Sequence, residues 1–483
     1  MGLSRETMLG RMYASDKNYN GRFLTGVLST GIYCLPSCNA RKPKPENVQF
    51  FYSEAEAQRA GLRACRRCRP DGYYQNHDPD LERLIALTAR IRQEPSVFAD
   101  VPDMAQESEI GITKLTALFR QHYHTTPASL LNQARIAQAC QQLIGSQTSD
   151  RSTLEIAFEV GYESLSAFNE NFRKQMSLCP SEYRKLGNSS SFTLALPPSY
   201  RAEYVLRNFW RDPKSAMESA EGNRITKVVR LNGQTALLHI ELEAEQAVCS
   251  VETTSKIDGD ALRAAHTIAL RLLGLTSDPL LFERKLEGEP ELRSLIGERT
   301  GLRIPLTGDV FEALVWSIIG QQINLAFAFS LRRTLAEKCG TRYDERYIAH
   351  PTPEQVANLK PSDLTPHQFS QRKAEYLIDT ARLIVSGELP LADFATAPVT
   401  QVERCLLAVR GLGPWSVNYI LMRGFGCADC VPIGDSGLRT ALRKFFAMES
   451  SPTPAQTVPL MEAFAPYRSL ATYHLWMTLG DPA

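Results

Sequence analysis

The chain has 483 residues, a formal net charge of +1 from 54 basic and 53 acidic side chains, and 43% hydrophobic content. The length suggests three or four domains, and the near-neutral balance excludes a polycation, so any nucleic-acid surface must come from local clustering of basic residues. No apolar run approaches the ~20 residues of a membrane span, and Met1 to Asn20 lacks the apolar core of a signal peptide, so a cytoplasmic protein with no membrane contact is expected.

Residues 1–75 hold four of the eleven cysteines. Cys34-x3-Cys38 and Cys65-x2-Cys68 are two close pairs separated by 26 residues. Tetrahedral Zn²⁺ wants four soft ligands, and two knuckles of paired cysteines supply them. One zinc ion held by Cys34, Cys38, Cys65 and Cys68 is therefore predicted. Ordinary buried thiols would leave the arginines of Arg63-Ala-Cys-Arg-Arg-Cys-Arg69 unexplained, since arginine is seldom buried. Four thiolates on Zn²⁺ leave a net charge of about −2, which keeps sulfur electron-rich and nucleophilic. Arg41, Lys42, Lys44, Arg66, Arg67 and Arg69 lie beside them and suit phosphates. So small a unit has little core, and its folding should depend on zinc.

Tyr73 to Pro79 is polar and reads as a linker. From Leu81 to Leu186 the period is helical. Leu154 to Val160 predicts a helix, Gly161-Tyr162 a turn, and Ser164 to Lys174 a second helix. Ile156, Ala157, Val160, Leu165, Phe168 and Phe172 share one apolar face. Ser164, Ser166, Asn169 and Arg173 are then free to meet a major groove. Gly187-Asn-Ser-Ser-Ser191 has the composition of a flexible break. Ala202–Leu206, Ile225–Leu231 and Thr235–Leu242 read as strands, the last two around a turn at Asn232-Gly233.

Helices dominate from Leu262 onward. An apolar helix runs into Gly411-x-Gly413, and a second helix starts at once. Two glycines let the backbone turn tightly and aim bare N–H groups at a phosphate. Trp415 and Tyr419 lie four apart on the helix that follows, Asp435 precedes another helix, and Trp476 comes near the end. Taken singly, each aromatic reads more readily as core, and Asp435 as a helix cap. Together they read as a site. Cys427-x2-Cys430 has no second pair and reads as a loop.

Three motif sets carry family resemblances. Thr30-Gly-Ile-Tyr-Cys-Leu-Pro-Ser-Cys-Asn-Ala-Arg41 resembles the N-terminal domain of the Ada methylphosphotriester repair protein over residues ~8–72. The resemblance implies that Cys34 accepts a methyl group from a DNA phosphotriester and that Arg41 contacts phosphate. Leu154 to Arg184, with Val101–Arg120 as a first unit, resembles AraC-type transcription factors over ~80–186. Gly411-Leu-Gly-Pro-Trp415 with Asp435 resembles the helix-hairpin-helix DNA glycosylases from about residue 200 to the end. Gly301-Leu-Arg-Ile-Pro305, Phe311 to Gln321 and Tyr467-Arg-Ser469 narrow the likeness to AlkA-type 3-methyladenine glycosylases.

That last resemblance implies Asp435 as the catalytic carboxylate, Trp415, Tyr419 and Trp476 as base-stacking aromatics, and Gly411 and Gly413 as DNA contacts. At the position of the family's intercalating leucine stands Gln322, which unstacks bases less favourably than an apolar wedge. Trp415 occupies the place of the lysine of bifunctional relatives. Indole forms no Schiff base, so a monofunctional glycosylase is expected.

The expected fold is multidomain and mainly α with α+β parts: a zinc domain (1–75), a tandem helix-turn-helix domain (80–187), a small α/β domain (195–285) and an all-α helix-hairpin-helix glycosylase domain (286–483). The expected function joins methyl transfer to Cys34, transcription activation and excision of alkylated purines. Its partners would be double-stranded DNA, alkylated or promoter, and RNA polymerase, with the chain a monomer. Two rival readings are a regulator whose glycosylase-like half only binds DNA, and a repair enzyme that its regulator half merely delivers.

Overall fold

The computed structural model describes residues 3–16, 19–71, 78–144, 151–254 and 258–480. They form two compact units, Met1–Ala86 and Leu87–Ala483. Most of the expected linker, Tyr73 to His77, lies outside the described residues.

In the first unit, β1 (Leu24–Val27), β2 (Ile32–Cys34), β3 (Val48–Phe51) and β4 (Arg63–Ala64) form a sheet in the order β3-β1-β2-β4. One cluster of its core holds Leu24, Tyr33, Leu35, Phe51, Ala57 and Leu62, and Met8, Met12, Phe23 and Val48 are buried as well among the described residues. That is little apolar surface to offset chain entropy, as expected of a unit that needs metal. β2 and β4 run parallel with Tyr33 opposite Ala64. The two cysteine knuckles therefore leave the same edge of the sheet.

The second unit begins with helices within the segment of helical period, among them Val101–Ser108, Ile112–Tyr123, Pro127–Ile144, Thr153–Glu159 and Leu165–Met176. Ser152 and Glu155 form a capping box at the start of Thr153–Glu159, which satisfies two end N–H groups. Ile156, Ala157, Val160, Phe168 and Phe172 are fully buried, and Leu165 packs at the edge. Gly161 makes the turn at φ +95°.

Five antiparallel strands follow in the order β5-β9-β8-β7-β6. They are β5 (Ser191–Ala195), β6 (Glu218–Glu221), β7 (Arg224–Leu231), β8 (Gln234–Leu242) and β9 (Gln246–Glu252). The predicted hairpin turn is present, with Asn232 at φ +49° and Gly233 at φ +81°, the primed-turn geometry these residues favour. The predicted strand at Ala202–Leu206 is instead the helix Ala202–Trp210. Its buried residues are Val205, Leu206 and Phe209, and five residues were too short a window to show that helical spacing.

The Gly187–Ser191 break is a 3-10 turn at Leu186–Asn188 running into β5. Phe168 and Phe172 share one core with Phe192, Leu194, Ile240 and Leu262. The helix-turn-helix segment and the sheet are thus fused by packing. His266 Nε2 also bonds the Met176 carbonyl at 2.8 Å, at the end of Leu165–Met176.

A second large core joins the helices from Leu280 to Met477, centred on residues such as Leu314, Ile318, Val417, Leu438 and Leu475. Buried charges link it to the sheet. Lys227 Nζ on β7 donates to Glu218 Oε2 at 2.6 Å and Glu312 Oε1 at 2.9 Å, and Arg332 donates to both carboxylates. Burial opposes the charge on Glu218, but Arg332 and Lys227 outweigh it and hold its carboxyl down at about 2. No helix among the described residues is long and apolar enough to cross a membrane.

Candidate active site and metal centre

The four cysteines predicted as ligands do converge. Their sulfurs all lie within 4.8 Å of one another. Cys34 ends β2, and the Cys65 N–H donates to the Tyr33 carbonyl at 2.9 Å, which aligns the second knuckle with the first. The Cys38 N–H donates to the Leu35 carbonyl at 3.1 Å, and the Leu35 N–H points at Cys68 Sγ at 3.4 Å. The Leu35 N–H alone points at a sulfur, and it favours the thiolate form of Cys68. The crowded sulfurs cannot all carry charge unaided: the hydrogen bond from Cys34 draws Cys38 down to about 2, while the Cys34 thiol itself is pushed up. A divalent cation relieves that conflict, and the cluster fits one Zn²⁺. Arg41, Arg66, Arg67 and Arg69 are exposed around it. Lys42 folds inward and donates to the Cys38 carbonyl at 2.7 Å.

On the Leu165–Met176 helix, Ser166, Asn169 and Arg173 are exposed on one side, opposite Phe168 and Phe172. Ser164 is also exposed, but it is the N-cap, and its hydroxyl accepts from the Ala167 N–H at 3.2 Å. It is therefore already committed to the helix.

The hairpin runs from helix Val399–Leu407 through Gly411 to helix Pro414–Tyr419, which continues as a π-turn over Ile420–Phe425. Gly411 has φ +96°, and a Cβ there would meet the Tyr376 ring at 2.4 Å. Both facts require glycine. Gly413 is the N-cap with extended backbone, and open space surrounds its Cα.

Asp435 caps the helix Ser436–Phe445, with Oδ1 accepting from the Leu438 N–H at 2.7 Å. The same oxygen accepts from Trp476 Nε1 at 3.0 Å, and Oδ2 accepts from Trp415 Nε1 at 2.9 Å. A carboxylate has about four acceptor positions, and three are taken. The Trp415 and Tyr419 rings stack at 5.7 Å with a 24° interplanar angle. Tyr419 is buried, so Trp415 is the outer ring of the pair. The structure thus gathers Asp435, Trp415, Tyr419, Trp476 and Gln322 on the wall of one open cleft of about 1840 Å³. Arg207, Arg211, Arg372 and Lys373 also line it and make it fit for a polyanion.

Two groups in this cleft escaped the sequence reading. Trp316 also lines the cleft and lies against Phe329, ring centroids 4.9 Å apart. Its signal was present inside Phe311 to Gln321, but an apolar helix does not tell which face is open. Leu325, three residues after Gln322, also lines the cleft and is 59% exposed. Gln322 is exposed as well, in left-handed backbone at φ +57°.

Four family models match in order: the metal binding domain of Ada over residues 8–71, a helix-turn-helix domain over 104–186, the AlkA N-terminal domain over 191–309, and the HhH-GPD superfamily base excision DNA repair protein over 315–466. A Mycobacterium tuberculosis protein described as "Probable bifunctional transcriptional activator/DNA repair enzyme AlkA" is 28% identical over 487 residues, covering 97% of this chain and 95% of that one. The Escherichia coli "DNA-3-methyladenine glycosylase 2" is 31% identical over 245 residues, 50% of this chain and 77% of its own length. A solved structure, "3-methyladenine dna-glycosylase from Archaeoglobus fulgidus", shares the fold with a TM-score of 0.53 at 19% identity, covering 59% of this chain and 97% of that one.

Proposed function

Because this chain belongs to the HhH-GPD superfamily of base excision DNA repair proteins, we propose that its cleft excises alkylated purines such as 3-methyladenine by hydrolysis at Asp435. The chain joins DNA alkylation repair to transcriptional regulation. By role we divide it at 1–75, 80–187, 195–285 and 286–483, and read it as a cytoplasmic monomer that works beside RNA polymerase at a promoter.

The carrying observation is the Asp435 carboxylate with two indole N–H groups aimed at it. A purine alkylated on a ring nitrogen is cationic and leaves as a neutral base. The enzyme needs an extruded nucleotide, an aromatic face for the cation and a fixed negative charge for the oxocarbenium-like sugar. Trp415 and Trp476 hold both carboxylate oxygens in place, and the remaining acceptor position faces water or the sugar. The Trp415–Tyr419 stack offers the aromatic face, and the Gly411–Gly413 turn with the cleft arginines holds the backbone. Gln322 and Leu325 together supply the wedge: the amide fills the gap and the leucine unstacks. Base release from methylated duplex by wild type, and release slowed by a factor of ~10²–10³ in Asp435→Asn, is the expected result. No release by either protein would leave a half that only binds DNA.

We further assign Cys34 as acceptor of a methyl group from a DNA methylphosphotriester. Its thiolate attacks the methyl carbon, a C–S bond forms, the C–O bond breaks, and the phosphodiester leaves with the electron pair. Bound zinc keeps the cysteine sulfurs ionised at neutral pH. Arg41 and the neighbouring exposed arginines hold the phosphate. Each transfer consumes one chain. It also lowers the cluster's charge from about −2 to about −1, which lessens repulsion of DNA and turns repair into a transcriptional signal. Equal promoter affinity of methylated and unmethylated protein at matched salt would refute that switch.

A further inference from the structure

Cys427 and Cys430 lie in the loop after the π-turn Ile420–Phe425, and His124 ends the helix Ile112–Tyr123, some three hundred residues earlier in the chain. The fold brings them together. One ligand atom from each lies within 4.8 Å of the other two, and His124 Nδ1 is 3.9 Å from Cys430 Sγ. In a tetrahedral zinc site, Zn–S of ~2.3 Å and Zn–N of ~2.0 Å set ligand–ligand edges of roughly 3.6–3.8 Å. Small side-chain adjustments reach that geometry.

The surroundings hold the trio in place. Ser469 Oγ donates to the Cys427 carbonyl at 2.7 Å and accepts from the Cys430 N–H at 3.0 Å. Arg468 grips both oxygens of Asp429 at 2.7 Å, so that carboxylate is committed elsewhere. The Asp429 N–H points at His124 Nδ1 at 3.3 Å, so this nitrogen is unprotonated, and its one lone pair would exchange that long contact for the ion. A neighbouring contact is independent of any metal: His122 Nδ1 meets Thr400 Oγ1 at 2.7 Å, joining the same helix to the first helix of the hairpin.

We propose that His124, Cys427 and Cys430 bind a second zinc ion, which ties the helix-turn-helix segment to the glycosylase loop that leads to Asp435. Two thiolates balance the ion's charge, so the site needs no further counter-ion. Three protein ligands leave the fourth position to water. The spacing Cys427-x2-Cys430 has no partner pair in the sequence, because the remaining ligand comes from another domain.

The test is zinc content of the full chain, purified reduced and without chelator, by inductively coupled plasma mass spectrometry. Wild type should carry about two zinc ions per chain, and Cys427→Ser/Cys430→Ser about one, with the four-cysteine site still filled. His124→Asn should also carry about one; asparagine tolerates the left-handed backbone that His124 adopts at φ +50°, so the fold is spared. One zinc in wild type, two in either variant, or a Cys427–Cys430 disulfide in the isolated protein would overturn the proposal.

Discussion

Gln321 Nε2 donates to the Gly411 carbonyl oxygen at 2.8 Å and to Ser416 Oγ at 3.0 Å. The hairpin turn is thereby bolted to the end of the buried helix Val310–Ile319, and its N–H groups keep a fixed aim. The first prediction separates its two glycines. Gly411→Ala places a Cβ into the Tyr376 ring at an unfavourable φ, and should destabilise the chain by ~1–3 kcal/mol while weakening DNA binding. Gly413→Ala has open space and extended backbone, and should shift the melting temperature little. Equal shifts in the two variants would contradict this account of the turn.

Asp435→Asn keeps one oxygen for the helix cap and the Trp476 indole but turns an amide nitrogen toward the Trp415 N–H. The melting temperature should fall by no more than the loss of one hydrogen bond, ~1 kcal/mol, while base release falls by a factor of ~10²–10³ with the lost negative charge. Trp415→Phe keeps a ring but frees Asp435 Oδ2, and a loss of about tenfold is expected for one hydrogen bond. A variant as active as wild type in single-turnover release would exclude that role. Borohydride should trap no covalent adduct with DNA, because the hairpin carries an indole where an amine would be required.

The buried charges under the cleft make a further prediction. Glu312→Gln leaves Lys227 and Arg332 with one carboxylate between them, and should destabilise by roughly 3–5 kcal/mol. The pH dependence has a definite sign. Glu218 is held at about 2, below its ordinary 4.5, so the network's contribution is complete above pH 4.5 and is lost as pH falls toward 2. Thermal melts between pH 7 and pH 3 should show stability falling with acid, less steeply in the variant.

Leu325 and Gln322 yield a fourth test. Leu325→Ser should reduce excision from duplex DNA, where a neighbouring base must be unstacked, and leave excision from single strands nearly unchanged. An equal loss on both substrates would assign Leu325 to packing.

Much of the site was readable beforehand because it is written in local chemistry. Cysteine spacing foretold a four-thiol cluster, and the pair of glycines foretold a tight turn. The 3.6-residue period placed Phe168 and Phe172 inside. What escaped was nonlocal. Ala202–Trp210 looked like a strand because five residues cannot report a helical period. The run at Gly187 looked like a tether because composition does not reveal that Phe168 and Phe192 will share a core. Trp316 and Leu325 were hidden because a run of apolar residues does not disclose which of them faces open space.

Residue type and spacing by themselves determined the chemistry on offer: four thiols, a hairpin turn, an acid before a helix and aromatics four apart. Only the tertiary structure decided which of these meet. It turned two indole N–H groups from distant helices onto one carboxylate. It also carried a histidine from one domain to two cysteines of another. Hydrogen bonds and metal ligation act over a few ångströms, whereas sequence separation says nothing about distance once a core has closed.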